Sequence, residues 1–194
     1  GDVYKRQAID SGGIHTSEVY QYARERQALG VIAIKGQSIR NKPAIGKPTR
    51  VDINIKGKSL KKGSLLYPVG VDTVKNTLIG RLKSNAEDSN AYIHFHATTG
   101  EEYFKQITSE RQQLKTNRAG FQVTMWVKKP NQRNEALDCW VYSYAAMVLY
   151  ISKYPRNKVW KLLEQKLINK GNVQQRKNAT MMDNSNNKNY VNSW

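Results

Sequence analysis

The chain has 194 residues, enough for one ordinary domain with its own core, and its 32 Lys plus Arg against 15 Asp plus Glu give a formal charge of +17. A surplus that large attracts polyanions, and nucleic acid is the natural partner class because Lys and Arg release counterions from phosphates. The single cysteine, Cys139, excludes a disulfide framework and a Cys-rich zinc site, and no apolar run approaches the ~18 residues of a membrane span.

Apolar strand-like blocks alternate with helical ones. Residues 1–7 carry Asp2, Lys5 and Arg6, which suits neither a signal peptide nor a buried strand; without an initiator Met the chain reads as a fragment. Ala8-Ile9-Asp10 has the character of a short strand's end, followed by the turn Ser11-Gly12-Gly13. A helix is expected from Thr16 to Leu29, capped by Thr16 or Ser17, with Val19, Ala23 and Leu29 on its apolar side and Gly30 as its stop. Val31-Ile32-Ala33-Ile34 is a continuous apolar run of the kind buried on both faces. Residues 37–50 form a basic loop with Arg40, Lys42, Lys47, Pro43 and Pro48.

Val51–Ile55 alternates as a half-buried strand, and Leu65–Val71 is another strand candidate, interrupted by Pro68. A helix over Asp72–Leu82 gathers Val74, Leu78, Ile79 and Leu82 on one side. Ala91–His96 alternates strictly and predicts a strand with Tyr92, His94 and His96 facing one way. A helix over Glu101–Ser109, a strand over Phe121–Val127 and a long apolar helix over Asn134–Ile151 follow. A last amphipathic helix spans Lys158–Asn169, and the Asn-, Gln- and Lys-rich residues 171–194 read as a disordered tail. Strands alternating with helices predict an α/β fold with a mixed sheet.

Three groups of acids stand out from the basic background. Asp10 lies where a strand ends at a glycine turn, the place where catalytic groups gather in α/β sheets; it equally suits an Asp that only caps the turn. Glu135 and Asp138 are three apart on the long apolar helix and share a face, where acids are costly unless paired or bound to metal. The helix dipole or Arg133 would account for them as well. Asp72 reads first as a helix N-cap. His94 and His96 lack a third ligand at a recognisable spacing, and Ser11 and Cys139 lack a base, so Cys139 reads as a small core residue.

Four blocks in order carry a family resemblance: Ile9-Asp10-Ser11-Gly12-Gly13 with Val19-Tyr20; Val31-Ile32-Ala33-Ile34-Lys35-Gly36; Gly70-Val71-Asp72-Thr73 with Lys75 and Arg81-Leu82; and Arg133-Asn134-Glu135-Ala136-Leu137-Asp138-Cys139 with Tyr142 and Ala145-Ala146. Over residues 8 to 150 the chain resembles the nuclease half of the large terminase subunits of lambda-type tailed phages. The resemblance implies an RNase H-like mixed sheet flanked by helices and a nuclease domain over 8–152, with a C-terminal helix over 153–170. It implies acids that hold Mg²⁺ or Mn²⁺: Asp10, Glu135 and Asp138, with Asp72 as a weaker candidate. Lys35, Arg40, Lys42, Lys47, Lys75, Lys128 and Lys129 are expected to hold phosphates without reading bases.

The expected function is metal-dependent cutting of concatemeric viral DNA for packaging, in the host cytoplasm. The expected partners are double-stranded DNA, the small terminase subunit and the capsid portal, within an oligomeric motor and with no membrane. A phosphate-binding loop of an ATPase half is not found, and the family's first acidic strand is expected upstream, so this fragment is expected to bind DNA better than it cuts it. A non-catalytic basic DNA-binding module, or another RNase H-like nuclease of resolvase or integrase type, is the alternative.

Overall fold

The computed structural model describes residues 7–55, 57–84 and 92–169. The chain divides into two compact units, Gly1–Leu149 and Tyr150–Trp194. The expectations for residues 1–6, Ala91 and the tail 171–194 lie outside the described residues.

In the first unit, strands β1 (Gln7–Asp10), β2 (Val31–Gln37), β3 (Thr49–Ile55) and β4 (Lys58–Gly70) form one sheet in the order β1-β2-β4-β3. The three strands β1, β2 and β4 run parallel, and β3 is antiparallel to β4 at the edge. The expected mixed sheet is therefore present. Helix α1 (Thr16–Glu25) connects β1 to β2, and α2 (Val71–Leu82) leaves β4 directly. A short helix α3 (Glu101–Ile107) leads into a separate hairpin, β5 (Glu110–Thr116) and β6 (Gln122–Lys128), and α4 (Glu135–Ile151) follows.

The alternation along β2 explains the two-sided core. Val31 and Ala33 turn one way, into a cluster with Tyr20 and Ala23 of α1 and Ile53 of β3. Ile34 turns the other way, into a cluster with Val69, Val71, Val74 and Leu78 and with Leu137, Val141 and Ala145 of α4. Helices thus cover both faces, and the apolar run of β2 is buried on both sides as its composition predicts. Pro68 survives inside β4 because its carbonyl points out of the β2 pairing and accepts a 2.8 Å bond from the Gly46 amide. Its nitrogen faces the same side, so the missing N–H removes no bond to β2.

Several expectations are corrected. Residues 92–96 are not a strand: His94 and His96 are exposed, while Phe95 stacks edge-on against Tyr103, Phe104 and Trp140. Their alternation reports which side chains meet this aromatic cluster, not a ladder. Neither Thr16 nor Ser17 caps α1, whose N-cap is His15 without a side-chain bond. The Thr16 hydroxyl instead donates to the Ser11 and Gly13 carbonyls and closes the turn after β1. Leu29 is exposed rather than part of the apolar side, because α1 gives way at Arg26 to a 3₁₀ turn over Gln27–Leu29. Strand β5, with the polar sequence ERQQLKT, carries no apolar alternation and was not legible.

In the second unit, a helix covers 159–169, the Tyr150 and Tyr154 rings meet edge to face, and the Lys166 ammonium donates to the Tyr154 hydroxyl at 2.9 Å.

The junction of β4 and α2 tolerates only glycine at position 70. Its φ of −76° suits any residue, but a Cβ would stand 2.6 Å from the Lys42 carbonyl oxygen, because the 38–48 loop is bonded there through the Gly70 amide and the Pro43 carbonyl. Gly70→Ala is expected to cost about 1–3 kcal/mol. Urea unfolding should show this as a lower midpoint at unchanged slope.

Candidate active site

The parallel strands β1, β2 and β4 end on one side of the sheet, and the acids collect there. Asp10 is the last residue of β1. The next residue, Ser11, is buried and anchors the turn, its amide and hydroxyl both bonding the Ile34 carbonyl at 2.9 and 2.8 Å. One Asp10 oxygen accepts from the Gly12 amide at 3.0 Å, the turn-capping bond that the sequence allows. A Cβ on Gly12 would approach both Asp10 carboxylate oxygens at 3.3 Å.

The other neighbour of Asp10 comes from α4. The Tyr142 hydroxyl donates to the Asp10 carboxylate and takes a bond from the Gly36 backbone. It comes so close that a Cβ on Gly36 would lie 2.8 Å from it. Burial first, then the nearby charges of Asp10 and Asp138, push the Tyr142 phenol up to about 12, so it remains a proton donor throughout the neutral range.

Asp138 faces the same region one turn before Tyr142. Burial raises its carboxyl above the usual range; the charges of Glu110, Asp10 and Glu135 act in the same direction, and Lys75 opposes them. Beneath it lies a buried ion pair that sequence reasoning did not anticipate. The Lys75 ammonium of α2 sits 2.7 Å from Glu110 at the start of β5, with side chains only 7% and 6% exposed. The Asn134 amide donates to the other Glu110 oxygen and to Asp138, each at 3.1 Å. Asn134 therefore ties the ion pair to the candidate metal acid. The only sequence signal for Glu110 was an acid in a basic stretch, and nothing local marks its depth.

Asp72 is not the cap of α2, which begins at Val71 with Gly70 before it. It is partly buried, and that burial, assisted by Glu110 and opposed by Lys75, raises its carboxyl. Glu135 is 61% exposed in the first turn of α4 and lies 3.2 Å from the Arg133 guanidinium. Its own backbone amide first, and then Arg133, hold its carboxyl below the usual range. Thus Asp138 is tied through Asn134 to the Glu110–Lys75 pair and lies within electrostatic reach of Asp10 and Glu135, while Asp72 feels the charges of Lys75 and Glu110. Among the described residues, no three His, Cys, Asp or Glu are grouped closely enough to hold one metal ion.

Two further expectations change. Lys75 is not a surface contact for phosphate, because it is buried and paired with Glu110. Cys139 is exposed rather than a core residue, since α4 turns Leu137 and Val141 inward and 139 outward. Lys35, Arg40, Lys42, Lys47 and Lys128 are exposed, and Lys129 is partly so. The 38–48 loop is held over the end of β4 by the Thr73 hydroxyl, 2.6 Å from the Lys42 carbonyl, and by the Gly46–Pro68 bond, so its cations lie on the side of the sheet where β1 ends.

Lys75→Ala leaves Glu110 buried and unpaired and is expected to cost about 3–5 kcal/mol. The double variant Lys75→Met, Glu110→Leu should recover most of that in chemical denaturation. Asp138 gives the opposite result. Its carboxyl is raised in the folded state, so its contribution is favourable below the unfolded value near about 4 and is lost as pH rises through the folded value. Asp138→Asn should melt higher than the wild-type chain at pH 7, and the difference should vanish below about pH 4. A lower melting point at pH 7 would contradict this account.

The endonuclease domain family of the terminase large subunit gpA matches residues 4–160, so the match takes in residues 4–7, which lack the apolar character of a buried strand. Two terminase large subunits are similar to the chain. That of Escherichia phage lambda is 32% identical over 153 residues, and that of Enterobacteria phage P21 is 32% identical over 155 residues. Each alignment covers 75% of this chain and 22% of the relative, so the chain spans about a fifth of the length of these proteins. No solved structure matches. No helix among the described residues is long and apolar enough to cross a membrane. The family match agrees with the RNase H-like sheet flanked by helices, and the chain belongs to the endonuclease domain family of the terminase large subunit.

Proposed function

We propose that this chain is a metal-dependent endonuclease domain that cuts concatemeric viral DNA for packaging, and that Asp10 and Asp138 are its central metal ligands. The observation that carries the reading is that α4 lays Tyr142 against Asp10 at the end of β1, which brings Asp138, one turn earlier on α4, within electrostatic reach of Asp10. The net charge of +17 supports a polyanionic substrate.

The donor set is hard oxygen, which suits Mg²⁺ or Mn²⁺, and two carboxylates are enough for one such ion that retains several waters. When bound, the ion supplies Lewis acidity and a water of lowered pKa. The protein's own groups do the rest. Tyr142 donates to the Asp10 carboxylate and holds it in place. Asn134 orients Asp138, and the Lys75–Glu110 pair holds Asn134 in place. Glu135 and Asp72 are the flanking acids available to a second ion. Lys35, Arg40, Lys42, Lys47, Lys128 and Lys129 would hold phosphates in register. Duplex DNA, the small terminase subunit and the capsid portal are the partners of this reading. Its setting is an oligomeric motor in the host cytoplasm.

In a large subunit that carries this domain, Asp10→Asn or Asp138→Asn should reduce Mg²⁺- or Mn²⁺-supported plasmid nicking by more than the ~10–100-fold that loss of an outer-shell partner costs. Glu135→Gln separates a ligand from a helix-end charge: a ligand loses nicking, while the stability change stays below about 1 kcal/mol. Full nicking by the Asp10 and Asp138 variants would overturn the ligand assignment. DNA binding without nicking under any divalent ion would favour a non-catalytic module.

A further inference from the structure

The β5–β6 hairpin stands apart from the main sheet, and its composition differs from that of a core element. Residues 110–128 hold Arg111, Lys115, Arg118 and Lys128 against one acid, Glu110, whose charge is already taken by Lys75. The apolar residues Leu114, Phe121 and Met125 are 70%, 68% and 44% exposed.

Its two faces have different fates. Gln112 and Trp126 are paired across the strands and both bond the Asn76 side chain of α2, at 2.7 and 3.1 Å. Directly paired residues share a face and neighbours alternate. The face turned away from α2 therefore carries Arg111, Lys115, Val123 and Met125, in the pairs Arg111–Val127, Gln113–Met125 and Lys115–Val123.

The tip is ordered by its own bonds. The Asn117 side-chain oxygen accepts from the Ala119 and Phe121 amides at 3.0 and 2.9 Å, the Asn117 backbone N–H donates to the Phe121 carbonyl at 2.8 Å, and Gly120 takes φ +81°. Arg118 and Phe121 are thereby presented to solvent on a rigid turn. Isolated exposed apolar residues are ordinary, but a cationic ribbon with a fixed aromatic tip matches a polyanion with an apolar interior.

We propose that the β5–β6 ribbon is a duplex-DNA contact that enters the major groove beside the acid cluster, with Lys115 and Arg118 on phosphates and Phe121 against the groove. The inference rests on the reading of this chain as acting on DNA, and adds the element that holds the duplex. The dimensions fit. Two strands about 4.8 Å apart enter a groove about 12 Å wide, and six residue steps of about 3.4 Å place the tip about 20 Å from the root, near six base pairs along the axis. The root is fixed to the site because Glu110, the first residue of β5, shares Asn134 with Asp138. The ribbon thus sets the distance from the held DNA to the reacting phosphate.

The test uses the full chain and a 30-base-pair duplex in chelator, so that binding is read without metal and independently of cutting. For Lys115→Ala with Arg118→Ala, the slope of log affinity against log salt should flatten by about 1.8, or 0.9 per phosphate contact, with weaker binding at low salt. Phe121→Ala should weaken binding at unchanged slope. The exposed pair Lys58→Ala with Lys61→Ala, at the start of β4 and outside the hairpin, is the comparison. An equal loss in that pair, or no loss in the ribbon variants, overturns the proposal. If a ribbon variant unfolds, Ala119→Cys in a Cys139→Ser background, carrying a photoreactive group, decides: cross-linking to duplex is expected, and its absence refutes the contact. Failure of the metal-ligand assignment would leave these binding results intact, whereas their failure would leave nicking by the acids untouched.

Discussion

The site depends on one buried ion pair. Lys75 and Glu110 come from separate parts of the chain, α2 and the start of the hairpin, and both are almost wholly removed from solvent. Two charges taken out of water are tolerated only when each meets the other closely and the remaining lone pairs find donors. The 2.7 Å approach meets the first condition, and the Asn134 amide on the second Glu110 oxygen meets the other. Because Asn134 precedes α4 and also bonds Asp138, the pair joins three elements of the fold at one point. A well-packed apolar substitute would serve stability as well, so the chemistry of the site is the more natural reason for a lysine and an acid here.

The acids around this pair show function and stability opposed. Asp138 is held where burial and three other carboxylates disfavour its charge, which Lys75 and the Asn134 amide oppose. Asp72 is in a similar position. A bound cation would remove that cost, so the proposed ligand role would account for acids held under such conditions. Asp10 is different, since the Gly12 amide and the Tyr142 hydroxyl satisfy it without a metal. Turn cap and ligand are therefore not exclusive readings: the cap bond fixes the carboxylate that the ligand role would use. Glu135 is exposed and already has Arg133, so its part in a metal site requires that the arginine be released to a phosphate or to water.

The basic residues sort by the same logic of place. The loop carrying Arg40, Lys42 and Lys47 is bonded across the end of β4, and Lys35 lies in the register step after the pair Asp10–Ile34. Lys75, equally basic in sequence, is withdrawn into the pair. Charge alone does not distinguish a phosphate contact from a counterion to a buried acid, and only burial separates them.

What the sequence by itself determined is the part that local chemistry dictates. The double-sided burial of β2 follows from its unbroken apolar run, the helix after Gly70 from its 3.6-residue pattern, the strand-end position of Asp10 from the glycine turn, and the expectation of a polyanionic partner from the charge. What only the tertiary structure decided depends on contacts between residues remote in the chain. The polar strand β5 exists because β6 and Asn76 supply its partners, so no apolar period announces it. The alternation at 92–96 became an aromatic contact because no strand pairs with it among the described residues. The depth of Lys75 and Glu110, and the meeting of Asp10 with Asp138 and Tyr142, likewise required the packing of α4 against the sheet. Propensity and periodicity act over a few residues, whereas burial and pairing are set by whatever the folded chain brings alongside.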